Sequence, residues 1–286
     1  MLQQPGRVEE GSIGQLVGQS VLTRISGLMS HPNELAIYMG FIIVLAVSLI
    51  FSRVSRPLKL ICLTTIGVAL VVLANTYSRS SWFVTFLFLA LTVGMYAWKT
   101  GNQKKVSIYV LGLAIVGTIV LIPFSENISN RLVRDRSTDV RPLLWQVALT
   151  TIESAPVLGV GYRNYETTVF ENDKTNEGVT TYFPSTPHNH YLLIAAESGI
   201  FALLIFLWLN AVMLYEAWYF IKSAVSYLNN MGFSFSAFIF MYLLYSMVQA
   251  GYNDYLYVFF SFGMVVAIKR IANEKKKDDN ETAHAT

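Results

Sequence analysis

The sequence predicts an all-α polytopic membrane protein, and two observations carry that prediction. Only 14% of residues are charged and 53% are apolar, whereas ordinary globular chains carry roughly 25% charged residues. Several uncharged runs also approach the ~20 residues that a helix needs to cross a bilayer. The mean hydropathy of +0.46 agrees. The net charge of +3 matters less than where the charges sit. The single cysteine, Cys62, lies in an apolar run and excludes an internal disulfide framework or a Cys-based metal cluster. Residues 1–33 lack the basic start, apolar core and small-residue site of a signal peptide.

Apolar runs place about seven spans in order, near Leu35–Phe51, Leu60–Tyr77, Trp82–Trp98, Val106–Phe124, Tyr191–Leu209, Met231–Gln249 and Tyr255–Ile268. The chain thus divides into an outer-face segment (1–33), four spans (34–124), a large extracytoplasmic loop (125–190), three spans (191–270) and a charged cytoplasmic tail (271–286) expected to be disordered. Direction follows from lysine and arginine in the short connections. Arg53, Arg56 and Lys59, then Lys99, Lys104 and Lys105, then Lys222, then Lys269, Arg270 and Lys275–Lys277 all fall on one face. That face is cytoplasmic by the positive-inside rule. A polar start on the outer face with no preceding span reads as a loop of a longer chain, one in which an odd number of earlier helices restores a cytoplasmic start. No internal repeat is evident. Gly159 and Gly161 lack the strand–helix context of a nucleotide fingerprint.

The large loop breaks the charge rule. Arg131, Arg134, Arg136 and Arg141 crowd its start, while Glu166, Glu171, Asp173 and Glu177 outweigh Arg163 and Lys174 in its second half. Either long loops translocate regardless of charge, or the orientation is inverted, or this zone is an outward-facing site for an anionic substrate. Within the loop, Thr138 or Asp139 is placed to cap a helix from about Val140 to Ser154, which Pro156 stops. Arg141 and Trp145 stand four apart on one face of it, and for Trp145 packing is the favoured role. The loop ends at Pro184–Tyr191, where Ser185 or Thr186 is placed to cap and Pro187 suits the first helical position. His188 then falls in the first turn of a membrane helix, where the positive end of the helix dipole disfavours imidazolium. Neutral imidazole is what a general base requires. A lone histidine at a helix start is more often structural, but the adjacent Asn189 and the loop arginines strengthen the catalytic reading. Arg79 is the only basic residue in the outer turn Tyr77–Ser81, although an arginine in such a turn ordinarily snorkels to the headgroups.

Cations and an imidazole without a pair of carboxylates do not suit a metal site, and His188 and His190 point in different directions on a helix. They suit a substrate with an activated anionic leaving group. Diphosphate fits, because guanidinium groups bind it bidentately and stabilise its departing charge.

Four pieces of sequence then resemble the O-antigen ligase and polymerase family of bacterial inner-membrane glycosyltransferases. They are Ser30-His31-Pro32-Asn33-Glu34-Leu35-Ala36; Ser78-Arg79-Ser80; Arg141 to Trp145 followed by Pro156-Val157-Leu158-Gly159-Val160-Gly161-Tyr162; and His188-Asn189-His190-Tyr191 followed by Glu197-Ser198-Gly199-Ile200. The resemblance runs from about residue 22 to 268. Family members usually have about twelve spans, so the resemblance implies a missing N-terminal half. It also implies a multi-pass protein of the bacterial cytoplasmic membrane that acts in cell-envelope polysaccharide synthesis. The donor would be a glycan on undecaprenyl diphosphate. The acceptor would be a hydroxyl on lipid A core, another lipid-linked glycan or a protein, with inversion at the anomeric carbon and no metal or cofactor. By match, Arg79 and Arg141 hold the diphosphate and His188 is the base. Arg134, Arg136, Asn189 and His190 are secondary candidates. Membrane lipids are expected partners and nucleic acid is not. The competing reading is a non-catalytic component or a transporter of lipid-linked glycans. Transport calls for polar residues along the helices, of which Glu197, Asn210, Glu216 and Gln249 are the few present.

Overall fold

A computed structural model of the chain describes residues 14–17, 20–29, 31–52, 54–101, 107–108, 111, 141–175, 180, 186–224, 226–249 and 254–285. Among the described residues the fold is helical, with one exception that the sequence reading missed. Gly14–Val17 (β1) and Ser20–Thr23 (β2) pair antiparallel, Gly14 opposite Thr23.

Three long helices follow. α1 (Pro32–Ile50) begins where the His31 side chain accepts the Asn33 N–H and Pro32 takes the first position, whose N–H a helix does not use. α2 spans Arg56–Asn75 and again has proline in its first turn. α3 spans Arg79–Thr100 and ends on Gly101 in the left-handed conformation that terminates helices. α1 is central. Its Ile43, Ala46 and Val47 pack on Cys62, Ile66, Ala69 and Leu73 of α2 and on Leu89 and Val93 of α3. Its Ile37, Phe41 and Val44 pack on Phe235, Phe238 and Met241 of α7 (Tyr227–Tyr245) and reach Val265 and Ile268 of α8 (Asp254–Ala285). These boundaries lie within a few residues of the expected spans one, two, three and six. Expected span four falls almost wholly outside the described residues. Five described helices are long and apolar enough to cross a membrane. The protein is therefore a multi-pass membrane protein. Exposed apolar side chains on α2 (Leu60, Leu63, Val68), α6 (Leu204, Ile205, Trp208) and α8 (Leu256, Phe259, Phe260) form its lipid-facing surface.

Expected span five needs correction. α6 runs from His190 to Lys222, but Gly199 interrupts it at φ 82°, ψ 171°. Residues sixteen apart in a continuous helix would be separated by about 24 Å. The rings of His190 and Phe206 are 5.9 Å apart, and those of Tyr191 and Phe206 are 6.2 Å apart. The helix therefore doubles back at Gly199. Residues 190–198 form a short first arm, and residues 200–222 form the arm that crosses the bundle.

The first arm belongs to a cap at one end of the bundle. Leu193 and Ala196 pack on Leu144, Val147 and Ala148 of α4 (Arg141–Ser154) and on Tyr165 and Val169 of α5 (Tyr165–Asn172). α4 stops at Ser154, where the sequence predicted, and the expected cap at Thr138 or Asp139 lies outside the described residues. The turn after it locks onto the α6 break: Val160 N–H donates to the Ala196 carbonyl, Gly161 N–H to that of Glu197 and Ile200 N–H to that of Pro156, each at 2.9 Å. Two of the four family-like sequence pieces thus hold one another.

The opposite end carries Lys99, Lys269 and Arg270. Lys99 donates to the carbonyls of Phe220 and Ser223 at 2.8 Å, Lys269 pairs with Glu216, and Asn230 donates to Ser52 and to the Ser48 carbonyl. The tail expectation also needs correction, because α8 continues to Ala285. Arg270–Glu274 and Lys277–Glu281 are ion pairs four residues apart, a spacing that supports a solvent-exposed helix.

Candidate functional site

Under the cap, at the ends of α1, α2 and α7, a chain of hydrogen-bonded side chains runs toward His188 and Arg141. Arg24, 7% exposed, precedes α1. Its Nε donates to the Thr76 carbonyl at 2.8 Å, and its guanidinium donates to Asn33 Oδ1 at 2.6 Å. Asn33 lies in the first turn of α1, and its Nδ2 donates to Gln249 Oε1 at 3.0 Å. Gln249 lies just beyond the end of α7, near His188. The turn that carries Arg79 lies beside this chain: Ser78 and Ser81 bond each other at 2.9 Å, and Ser81 reaches the Asn33 carbonyl at 3.5 Å.

His188 does not sit in the first helical turn. Asn189 is the cap, its side chain accepting the N–H groups of Tyr191 and Leu192. Helix begins only at His190, after Pro187. His188 itself takes a left-handed backbone, φ 48°, which histidine tolerates better than most residues. An asparagine that satisfies two orphan donors outcompetes the Ser185 or Thr186 cap expected from sequence. Thr186 therefore does not start the helix, and Ser185 lies outside the described residues.

Burial is the main cause lowering the proton affinity of His188, and the nearby Arg141 charge adds to it. Gln249 opposes both. Nδ1 of His188 has no hydrogen-bond partner among the described residues. The ring is thus neutral near pH 7, and it stands near a guanidinium. Arg141, the first residue of α4, is half-buried and contributes that charge from the cap. Trp145, one turn later on the same face, was expected to pack. It lies outside the cap's apolar cluster, and its indole N–H is buried without a partner among the described residues.

The secondary candidates divide. Asn189 is a helix cap. His190 is fully buried, its ring edge-on to Phe206 and Tyr242 and its backbone N–H on the Ser246 carbonyl. Both are placed as structural residues. Arg134 and Arg136 lie outside the described residues. The polar residues considered for a transport path are also accounted for. Glu197 accepts the Tyr165 N–H at the helix break, Asn210 donates to the Phe206 carbonyl, Glu216 pairs with Lys269, and Gln249 belongs to the site.

Sequence reasoning missed Arg24 and gave Asn33 and Gln249 no role here. The signal present was His31-Pro32-Asn33, whose asparagine is the hub. Residues 63–207, half of the chain, match the family model described as O-antigen ligase. The chain belongs to the O-antigen ligase family. No curated protein sequence matches it. Membership makes this a membrane protein of glycan processing. The family-matched stretch contains Arg79, Arg141 and His188, whereas Arg24, Asn33 and Gln249 lie outside it and reach the site only through the fold.

Proposed function

We propose that the protein transfers a glycan from undecaprenyl diphosphate to an acceptor hydroxyl in cell-surface polysaccharide synthesis at the bacterial cytoplasmic membrane. Arg79 and Arg141 hold the diphosphate, and His188 takes the acceptor proton. The acceptor oxygen attacks the anomeric carbon from the face opposite the diphosphate. The glycosyl C–O bond breaks with its electron pair passing to the diphosphate, and His188 carries away the proton. Configuration inverts, and the cations rather than a metal neutralise the leaving group. Arg134 and Arg136 are second-rank diphosphate partners.

The observation that carries this reading is the pairing of His188 with Arg141. A neutral imidazole stands near a guanidinium under a cap, at the end of the bundle opposite the basic connections. By the positive-inside rule that end is extracytoplasmic, where a translocated lipid-linked glycan would be. The test is transfer from a purified lipid-linked glycan donor by the protein in lipid nanodiscs. Loss of transfer in both Arg141→Ala and His188→Ala, with both variants folded, supports the proposal. Normal transfer in either removes that residue's assigned role.

A further inference from the structure

We infer that the turn Pro156–Gly161 is a membrane wedge, which inserts Val157 and Leu158 into the lipid leaflet on the cap side and so anchors the cap to the bilayer surface. The inference is independent of the proposed reaction.

Depth carries the inference. The crossing arm of α6 ends at a marked level: Lys222 Nζ stands 5.0 Å from the centre of the Trp218 ring, and Tyr215 and Trp218 are exposed. Lys99 meets the same level through the carbonyls of Phe220 and Ser223. Exposed tryptophan and tyrosine mark a membrane interface, and lysine reaches the water beyond it. From Trp218 back to Gly199 a helix rises about 29 Å, and the hydrocarbon core of a bilayer is about 30 Å thick. The break at Gly199 therefore lies at the far boundary of that core, and any tilt of the arm sets it deeper. The turn is fixed to this break. Ile200 N–H donates to the Pro156 carbonyl at 2.9 Å, and the Val157 carbonyl faces the Gly199 α-carbon.

Composition and exposure fit that depth. Ala155 to Tyr162 is an uncharged run whose one polar side-chain group is the Tyr162 hydroxyl, bracketed by Glu153-Ser154 and Arg163-Asn164. Leu158 is 82% exposed, and Val157 and Tyr162 are more than half exposed. At the top of the arm Ile200 and Phe201 are exposed as well, and they lead into the lipid-facing surface of Leu204, Ile205 and Trp208. The apolar surface of the arm thus continues onto the cap. Backbone in an apolar medium must satisfy its own polar groups. The turn does so at Gly159, Val160 and Gly161, whose N–H groups donate to the carbonyls of Ala155, Ala196 and Glu197 at 2.9 Å. Arg163 lies over the Tyr162 ring, 5.6 Å from its centre, an amphipathic pair suited to the headgroup layer. Exposed residues of α5 include Glu166 and Glu171 instead, as a water-facing surface requires.

The experiment reads depth in the full chain, reconstituted in nanodiscs of phosphatidylethanolamine and phosphatidylglycerol. Leu158→Cys, Phe201→Cys and Glu171→Cys are each made in a Cys62-free background. All three side chains are exposed, so the substitutions remove no core packing. A nitroxide at 158 should be more accessible to oxygen, which concentrates in the bilayer, than to a water-soluble nickel chelate. Position 201 should behave alike, and the order should reverse at 171. The unlabelled thiols give a second reading free of any pull from the nitroxide. A small charged thiosulfonate is expelled from the bilayer, so it should modify 158 at least about tenfold more slowly than 171. Chelate access exceeding oxygen access at 158, or equal modification rates at 158 and 171, would overturn the wedge and leave this patch to a protein partner.

Discussion

The α-carbon of Gly199 faces the Val157 carbonyl so closely that a Cβ there would lie 2.0 Å from the oxygen. The contact is reciprocal. A Cβ on Gly159 would lie 2.2 Å from the Glu197 carbonyl carbon. Each glycine lets the other's strand of backbone approach, and three hydrogen bonds close the contact. The fold-back of α6 is therefore built jointly by the turn after α4 and the break itself. Its purpose in the architecture is to set residues 188–190 under the cap, at the level of Tyr242 of α7 and of Ser246 just beyond it.

Substitution at that contact should cost stability. Gly199 occupies a region of backbone space that is essentially restricted to glycine, where another residue costs about 1–3 kcal/mol before any clash is counted. Gly199→Ala should lower the thermal midpoint of the detergent-solubilised protein and abolish transfer. Gly159→Ala should do the same, whereas alanine at Gly67, where a Cβ meets nothing within 4 Å, should leave both unchanged. A wild-type midpoint for Gly199→Ala would refute the close contact.

The arginine prediction concerns geometry as well as charge. Arg141→Ala and Arg79→Ala should each lower transfer by a factor on the order of 10²–10³, the cost of removing one donor to a departing anion. Arg→Lys should rescue poorly, because an ammonium lacks the bidentate fork. Membrane abundance should be unchanged in all four. Normal transfer by Arg79→Ala would mean that this arginine only snorkels.

The spans of α1, α2 and α3 were legible because each is a charge-free run of bilayer length closed by caps or prolines that act within one turn. The fold-back was not. Apolar runs, Leu192–Ala196 and Ile200–Leu207, flank Glu197-Ser198-Gly199, so hydropathy reads the stretch as one helix, and the partner that bends the chain lies some forty residues earlier at Pro156–Gly161. His188 was found from its neighbours, but Pro187 suggested the wrong helix start because the better cap, Asn189, lay two residues further on. Arg24, Asn33 and Gln249 come from three separate elements, so no spacing in the sequence joins them.

Sidedness has a direct test in a Cys62-free background. Glu171 lies on exposed cap surface and Lys275 on exposed α8 surface beyond the basic end. A cysteine at position 171 should react with an impermeant reagent added outside intact cells. One at 275 should react only after the membrane is opened. The reverse pattern would invert the orientation and move the site to the cytosolic face.

The pH prediction follows from what surrounds His188. Burial and Arg141 together hold its proton affinity below the ordinary 6.5. The sign is fixed: the neutral ring is favoured in the folded protein, so the base form should persist on acidification through 6.5 and fail only below it. Transfer should therefore hold on lowering pH through 6.5 and then decline with an acid limb centred lower. Stability should follow the same direction, since the unfolded chain takes up the proton first and gains on the folded state as pH falls below 6.5. Arg141→Gln removes the positive charge facing the ring, so the acid limb of its residual activity should shift to higher pH. His190→Ala should keep at least about a tenth of the activity, because general-base assistance, typically worth 10²–10⁴-fold, would be lost with His188 alone. The measurement is the initial rate against pH for the parent, Arg141→Gln and His190→Ala, each checked for folding. An unmoved acid limb in Arg141→Gln would show that the guanidinium does not act on the base, and equal losses from His188→Ala and His190→Ala would assign both histidines to the fold.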